Sequence, residues 1–382
     1  MIRNTRFWML GALIASIVAV GACSGGDPAQ EQASSDASSS TKESTPAKLA
    51  SLPETDRELV KMGRDFFGQL PEQVDNPNNP ITDKKVALGK MLYFDARLSK
   101  SGNISCNSCH NIAQYGVDNL PVSLGHGWQP GDRNSPSVLN AALHTTQFWD
   151  GRAADVEEQA KGPVLNPVEM AIPHEGYAED RIASIPQYQK YFAQAFPDEQ
   201  DAITYDNIAR AIGAFERTLM TPSRFDAYLQ GDADALTALE KKGMETFINS
   251  GCTSCHSGKA LGGESFRKFG MIDDYWKHTH SEEVDPGRYK VTKDSSDLYF
   301  FKVPSLRNVA QTYPYFHDGS VWDLDEAVRI MAKIQLGQDL TDQQTKEITA
   351  FLGALTGEVP QDARQLPMLP PSGSETSKPV FN

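Results

Sequence analysis

The chain has 382 residues, with 36 Lys and Arg against 50 Asp and Glu, a formal net charge of −14. That balance excludes the basic footprint of a nucleic-acid binder and leaves a basic partner or plain solubility as its meaning. The length fits two domains better than one.

Residues 1–22 read as a secretory leader. Arg3 and Arg6 precede an apolar run from Phe7 to Val20, which is too short for a spanning helix. The run ends in Val20-Gly21-Ala22-Cys23, a lipobox-like site at which Cys23 would be lipidated and become the mature N-terminus. A plain cleavable signal with a chance cysteine is the alternative. Ser24, in place of an acidic residue, favours the outer membrane for the anchor. Losing Arg3 and Arg6 takes the charge from −14 to about −16. Residues 23–56 have the composition of a disordered tether, rich in Ser, Ala, Glu, Asp and Lys. The expected location is the periplasmic side of a membrane, held there by lipid and not embedded.

From Asp83 to Asp95, Ala87, Leu88, Met91 and Leu92 fall at helical spacing. That helix leads to Ser105-Cys-Asn-Ser-Cys-His110, and the pattern recurs as "GCTSCH" from Gly251 to His256. Two thiols two residues apart, with histidine next, attach a c-type haem: the thiols add to its vinyl groups and the imidazole becomes the proximal iron ligand. A disulfide, a redox dithiol or half a zinc site would also use such a pair. The histidine in both copies, with no further cysteine nearby to complete a zinc set, favours haem. Cys106, Cys109 and His110 would then hold one haem c, and Cys252, Cys255 and His256 a second.

Between and beyond the motifs, Ile208, Ile212, Phe215 and Leu219 form one apolar stripe, and Ile348, Phe351, Leu352 and Leu355 another. Thr237 and Glu240 make a capping box that opens a helix carrying Leu239 and Phe247 towards Cys252. Little suggests an extended sheet. The expected fold is mainly α: two cytochrome c-like haem domains packed against each other, with long loops because haem fills much of each core. The expected divisions are an N-terminal haem domain over 57–221, a C-terminal one over 222–360 and a Pro-rich tail over 361–382.

Several stretches together resemble a known family: "LGKMLYFDARLSKSGNISCNSCH", "LGHGWQPGDRNSPSVLNA", "FWDGRAADVEEQAKGPVLNPVEM", "AIGAFERTL", "FKVPSLRNVAQTYPYFHDGS" and "AVRIMAKIQLG". They resemble the bacterial di-haem cytochrome c peroxidases, in the superfamily that includes MauG, over roughly residues 59–357. The resemblance implies two unequal irons. Met271, Met331, Met368, His278, His280 and His317 are candidates for the second distal ligand, and Met331 is the one that matches the family's methionine. His317 matches a family histidine with no ligand role. His126, between Gly125 and Gly127, matches the ligand that caps the first iron in the oxidised enzyme and leaves when the other haem is reduced. Glu169 matches the catalytic glutamate, Gln159 and Phe148 match pocket-lining positions, and Trp149 matches an aromatic placed between the haems.

The same resemblance implies one calcium ion at Asn134, Thr312 and Pro314, the last two through backbone carbonyls. It implies hydrogen peroxide as substrate, a small cytochrome c or cupredoxin as electron donor, no nucleic acid, and a homodimer as an expected assembly. A di-haem electron carrier and a MauG-like modifier of a partner protein are the alternatives. The MauG branch uses a tyrosine ligand, and no Tyr follows Tyr315 here.

Overall fold

The computed structural model describes residues 45–381; the leader, Cys23 and the tether up to residue 44 lie outside the described residues. Helices carry the fold. In chain order they are α1 Thr45–Ser51, α2 Glu54–Phe67, α3 Asp83–Phe94, α4 Cys106–Cys109, α5 Val156–Leu165, α6 Glu175–Ala183, α7 Pro186–Ala195 and α8 Tyr205–Glu216. There follow α9 Arg224–Leu229, α10 Ala238–Asn249, α11 Tyr289–Thr292, α12 Leu324–Leu336, α13 Asp342–Ala354 and α14 Gln361–Arg364. Sheet among the described residues is one short antiparallel pair, β1 Phe266–Lys268 against β2 Phe300–Lys302. No helix among them is long and apolar enough to cross a membrane.

Each CxxCH motif is preceded by a helix that crosses a later one on a glycine. In the first lobe α3 crosses α8, and a Cβ on Gly89 would fall 1.8 Å from the Ala211 carbonyl oxygen. In the second α10 crosses α13, and a Cβ on Gly243 would fall 1.9 Å from the Glu347 carbonyl oxygen. Only glycine allows so close an approach of two backbones. The apolar stripes supply the rest of each crossing: Leu88 and Leu92 meet Ile208, Ile212 and Phe215, while Phe247 meets Ile348, Phe351 and Leu352.

Two details of the expected stripes are corrected. Ala87 faces solvent, and Lys85, one turn before Leu88, takes a buried place, its ammonium donating to Asn79 Oδ1 and the Pro80 carbonyl at 3.1 Å each. Leu239 is 46% exposed, because the first turn of α10 projects beyond the core that Phe247 enters. The Thr237–Glu240 capping box forms as expected.

The lobes are related by a second repeat. At one constant offset, Asn140 corresponds to Asn308, Phe148 to Phe316, Gly151 to Gly319 and Asp155 to Asp323. Asn140, Asn308, Phe148 and Phe316 all take left-handed backbone angles. Asp155 and Asp323 cap α5 and α12 by accepting from the third backbone N–H of each helix. The bridges Gln147–Ala153 and Tyr315–Val321 also correspond. The two copies exchange reciprocal bonds, Asn134 N–H to the His317 carbonyl at 2.7 Å and Lys302 N–H to the Trp149 carbonyl at 2.8 Å. Thr221, between the two copies in sequence, accepts from the side-chain amides of both Asn140 and Asn308.

The chain ends cross over. Leu52, Val60 and Phe67 join the second lobe's core with Phe225, Tyr228 and Phe351, and Asp56 accepts from Tyr228 Oη at 2.8 Å. Residues 45–56 are therefore mostly helical and packed, where a disordered tether was expected, because Leu52 and its neighbours bury apolar surface there. At the other end Val359 and Ala363 join the first lobe's core, and the Val380 N–H donates to the Lys100 carbonyl. Divisions at 57–221, 222–360 and 361–382 thus misplace both ends, since each end packs on the lobe more distant from it in sequence.

Candidate haem chambers and the cavity between them

The first chamber spans about 1830 Å3 free of protein atoms, the solvent at its mouth included, space for a macrocycle and not for a single ion. Cys106, Cys109 and His110 line it on one side; Phe148, Trp149, Gln159, Pro163, Glu169 and Glu216 line it elsewhere. His110 Nδ1 lies 2.9 Å from the Pro136 carbonyl, which accepts its hydrogen and leaves Nε2 as the metal-binding nitrogen. The second chamber, about 1250 Å3 with the solvent at its mouth included, is lined by Cys252, Cys255, His256, His317, Met331 and Trp149. There His256 Nδ1 faces the Leu261 carbonyl at 3.2 Å, again freeing Nε2. Burial lowers the pKa of both imidazoles, His256 to about 4, so each is a neutral ligand.

The thiols decide between the readings of CxxCH. None of the four is in a disulfide. Burial pushes Cys109 and Cys252 up to about 11 and Cys106 higher still, the opposite of the acidified thiol a redox dithiol needs. Among the described residues no group of three or more His, Cys, Asp or Glu could hold a zinc ion. Two sulfurs and a neutral imidazole at the wall of a macrocycle-sized chamber, twice over, fit covalently attached haem.

The chambers differ in what else could reach iron. The second has Met331 and His317 on its wall, whereas His110 is the only imidazole lining the first. His126 does not line that chamber; its neighbour Gly125 does. The His126 ring is buried, with Nδ1 lacking any hydrogen-bond partner. Its backbone N–H donates to the Glu169 carbonyl at 2.7 Å, and a Cβ on Gly125 would stand 2.1 Å from the Val168 carbonyl oxygen. At the repeat position of Met331 the first lobe has Pro163, which carries no donor to iron.

Glu169 accepts from Asn166 Nδ2 at 2.8 Å, and burial raises its pKa above the ordinary carboxylate value. Glu216 was missed by sequence reasoning, because it lies on α8 among residues read as a core stripe. Burial pushes it up to about 8, Glu157 adds to the rise and Arg217 opposes it. Arg217 instead pairs with Glu157, 2.7 Å away.

A third cavity lies between the two and shares walls with both. Asn134 and Phe148 line it and the first chamber, Lys302 and Val309 line it and the second, and Trp149 lines all three. The indole Nε1 of Trp149 donates to the Asn134 carbonyl at 2.9 Å. Thr312 and Pro314 stand on the same wall, so the structure brings Asn134, Thr312 and Pro314 to one cavity.

This architecture is that of a c-type cytochrome carrying two haems. Residues 83–234 match the family model described as di-haem cytochrome c peroxidase, and 240–356 that of cytochrome c. A cytochrome c551 peroxidase of Pseudomonas aeruginosa is 47% identical over 82% of this chain and 90% of its own. One of Nitrosomonas europaea is 49% identical over 76% of this chain and 85% of its own. The solved structure of a MauG-like protein associated with microbial copper homeostasis superposes with a TM-score of 0.69 at 29% identity, over 79% of this chain and 98% of that one. The chain belongs to the di-haem cytochrome c peroxidase family and carries two haem c groups.

Proposed function

We infer that the protein is a cytochrome c peroxidase that reduces hydrogen peroxide to water. The observation that carries this reading is the inequality of the chambers: Met331 on the wall of one, Pro163 at its counterpart in the other. Bound haem supplies redox-active iron at which the O–O bond is cleaved. Cys106 and Cys109 anchor the first haem and His110 ligates it; Cys252, Cys255, His256 and Met331 do the same for the second. A thioether ligand favours ferrous iron, which suits the second site to store an electron.

In the first chamber Glu169 accepts a proton from one peroxide oxygen and returns it to the other, so that the bond breaks heterolytically. Asn166 Nδ2 fixes the carboxylate for this task, and Gln159 orients the peroxide. For His126 to cap that iron its loop must leave the Glu169 turn, and glycine at 127, left-handed here at φ 65°, tolerates the backbone angles that such a move requires. Trp149 forms the aromatic bridge between the chambers. Electrons enter at the second site from a small cytochrome c or cupredoxin.

One calcium ion is assigned to Asn134 Oδ1 and the carbonyls of Thr312 and Pro314, oxygen donors of the kind a hard cation prefers. Lipidation at Cys23 and a place on the periplasmic face of a membrane, the outer one by Ser24, complete the reading, and a homodimer is its expected assembly. Peroxide consumption driven by reduced cytochrome c tests the activity; an inert protein with two permanently six-coordinate irons would make it a carrier instead. A reduced spectrum lacking a methionine signature at the second haem would favour a MauG-like role.

A further inference from the structure

The lobe repeat divides the cavity between the chambers into two matching halves. Asn134 corresponds to Lys302, His144 to Thr312 and Thr146 to Pro314, and all but Thr146 line the cavity. In one half the Lys302 ammonium donates to His144 Nδ1 at 3.0 Å and to the Thr146 carbonyl at 2.9 Å. In the other half Asn134 stands in place of the lysine, with Thr312 and Pro314 in place of His144 and Thr146. The reciprocal bonds from Asn134 N–H to His317 and from Lys302 N–H to Trp149 fix the two residues in equivalent backbone positions.

Lys302 is 5% exposed, and no carboxylate lies within hydrogen-bond reach of its ammonium. Burying a cation without an anion is costly unless polar groups replace its water. Burial pulls Lys302 down to about 7, with Asp150 the carboxylate that opposes the shift. The acceptors that hold it, a carbonyl and an imidazole nitrogen, are those that solvate a cation. The matching half offers acceptors and no ammonium: Asn134 Nδ2 is turned to the Leu120 carbonyl at 2.9 Å, which leaves Oδ1 to accept. Arg307, also on the cavity wall, spends its guanidinium on Asp226 and the Lys259 carbonyl.

We propose that the lobe interface is built around two related cation positions, one filled from within the chain by the Lys302 ammonium and the other, at Asn134, Thr312 and Pro314, by an exchangeable divalent cation. The second half of this statement rests on the calcium assignment above; the role of Lys302 does not. The arrangement makes the interface conditional on one side only. The Lys302 backbone N–H holds the Trp149 carbonyl and its ammonium the Thr146 carbonyl without any added ion, whereas the exchangeable ion bears on Asn134, whose carbonyl receives the Trp149 indole N–H.

The test counts calcium bound per chain in the haem-loaded protein, as wild type, Lys302→Asn and Asn134→Lys. The expected counts are one, two and none, with Asn134→Lys melting in chelator at the temperature wild type reaches in calcium. A Lys302→Asn protein that binds no more calcium than wild type, or an Asn134→Lys protein that still binds it, overturns the proposal. If wild type binds none, the calcium assignment fails separately; one ion gained by Lys302→Asn still supports the role of the lysine, and none overturns it. If Lys302→Asn does not mature with both haems, calcium during expression rescues it on this account, and Asn134→Lys decides should rescue fail.

Discussion

Pro163 and Met331 occupy the same position in the two lobes, each on the helix that follows the Asp cap at Asp155 or Asp323. Each lines its own chamber. A duplicated frame thus presents a thioether to one haem and a ring without a donor to the other. Pro163→Met is expected to supply the first iron with a sixth ligand. Low-spin signal at that haem should rise, and peroxide turnover should fall by about tenfold or more, equivalent to about 1.4 kcal/mol in the barrier. EPR of the half-reduced protein, alongside steady-state turnover, checks it.

Glu169 is the half-buried carboxylate of the first chamber that Asn166 Nδ2 holds at 2.8 Å. Glu169→Gln should lower kcat/KM for peroxide by about 10²–10⁴-fold, the usual worth of a positioned acid–base group, while both haems remain attached. The pH profile carries the same assignment. The base must be ionised to accept a proton, and burial raises its pKa above the ordinary 4.5, so activity should fall with acidity at a pH above that value. In the variant this acid limb should vanish.

The His126 loop rests on the Glu169 turn through one backbone bond, and Gly125 is what allows the contact. Gly125→Ala inserts a methyl where a carbonyl oxygen stands 2.1 Å away. Overpacking of this kind costs about 1–3 kcal/mol and should push the loop off the turn. On the proposed capping of that iron by His126, the six-coordinate fraction of the first haem should increase. Resonance Raman spectra of variant and wild type measure that fraction.

Arg307 and Asp226 form a bidentate pair at 2.9 Å for both bonds, with the arginine side chain 0% exposed. Removing one partner strands the other charge in the interior. Arg307→Met should therefore cost about 3–5 kcal/mol, read from denaturant unfolding of the haem-loaded protein. Arg329→Met, at an ion pair whose partners are 40% and 87% exposed, should cost less than about 1 kcal/mol.

What the sequence made legible was chemistry written locally. CxxCH carries its whole meaning in five residues, and the capping box at Thr237 in four. The helices at α3, α8, α10 and α13 declared themselves by period, although Ala87 and Leu239 fell on the stripe without entering the core. Lys302 and Glu216 were not legible, since each is defined by surroundings drawn from distant segments. The crossed chain ends escaped for the same reason: Phe67 meets Phe351 and Val380 meets Lys100 across most of the chain. Met331 was one of several candidate ligands, selected by resemblance, and its geometric distinction came only when α12 set it on the chamber wall.

The central claim, two unequal haems, is tested most directly by a spectroelectrochemical titration of wild type and Met331→Leu. Two separate one-electron steps are predicted for wild type, with the upper midpoint falling in the variant and the lower one keeping its place. Identical midpoints and undiminished turnover in Met331→Leu would contradict it.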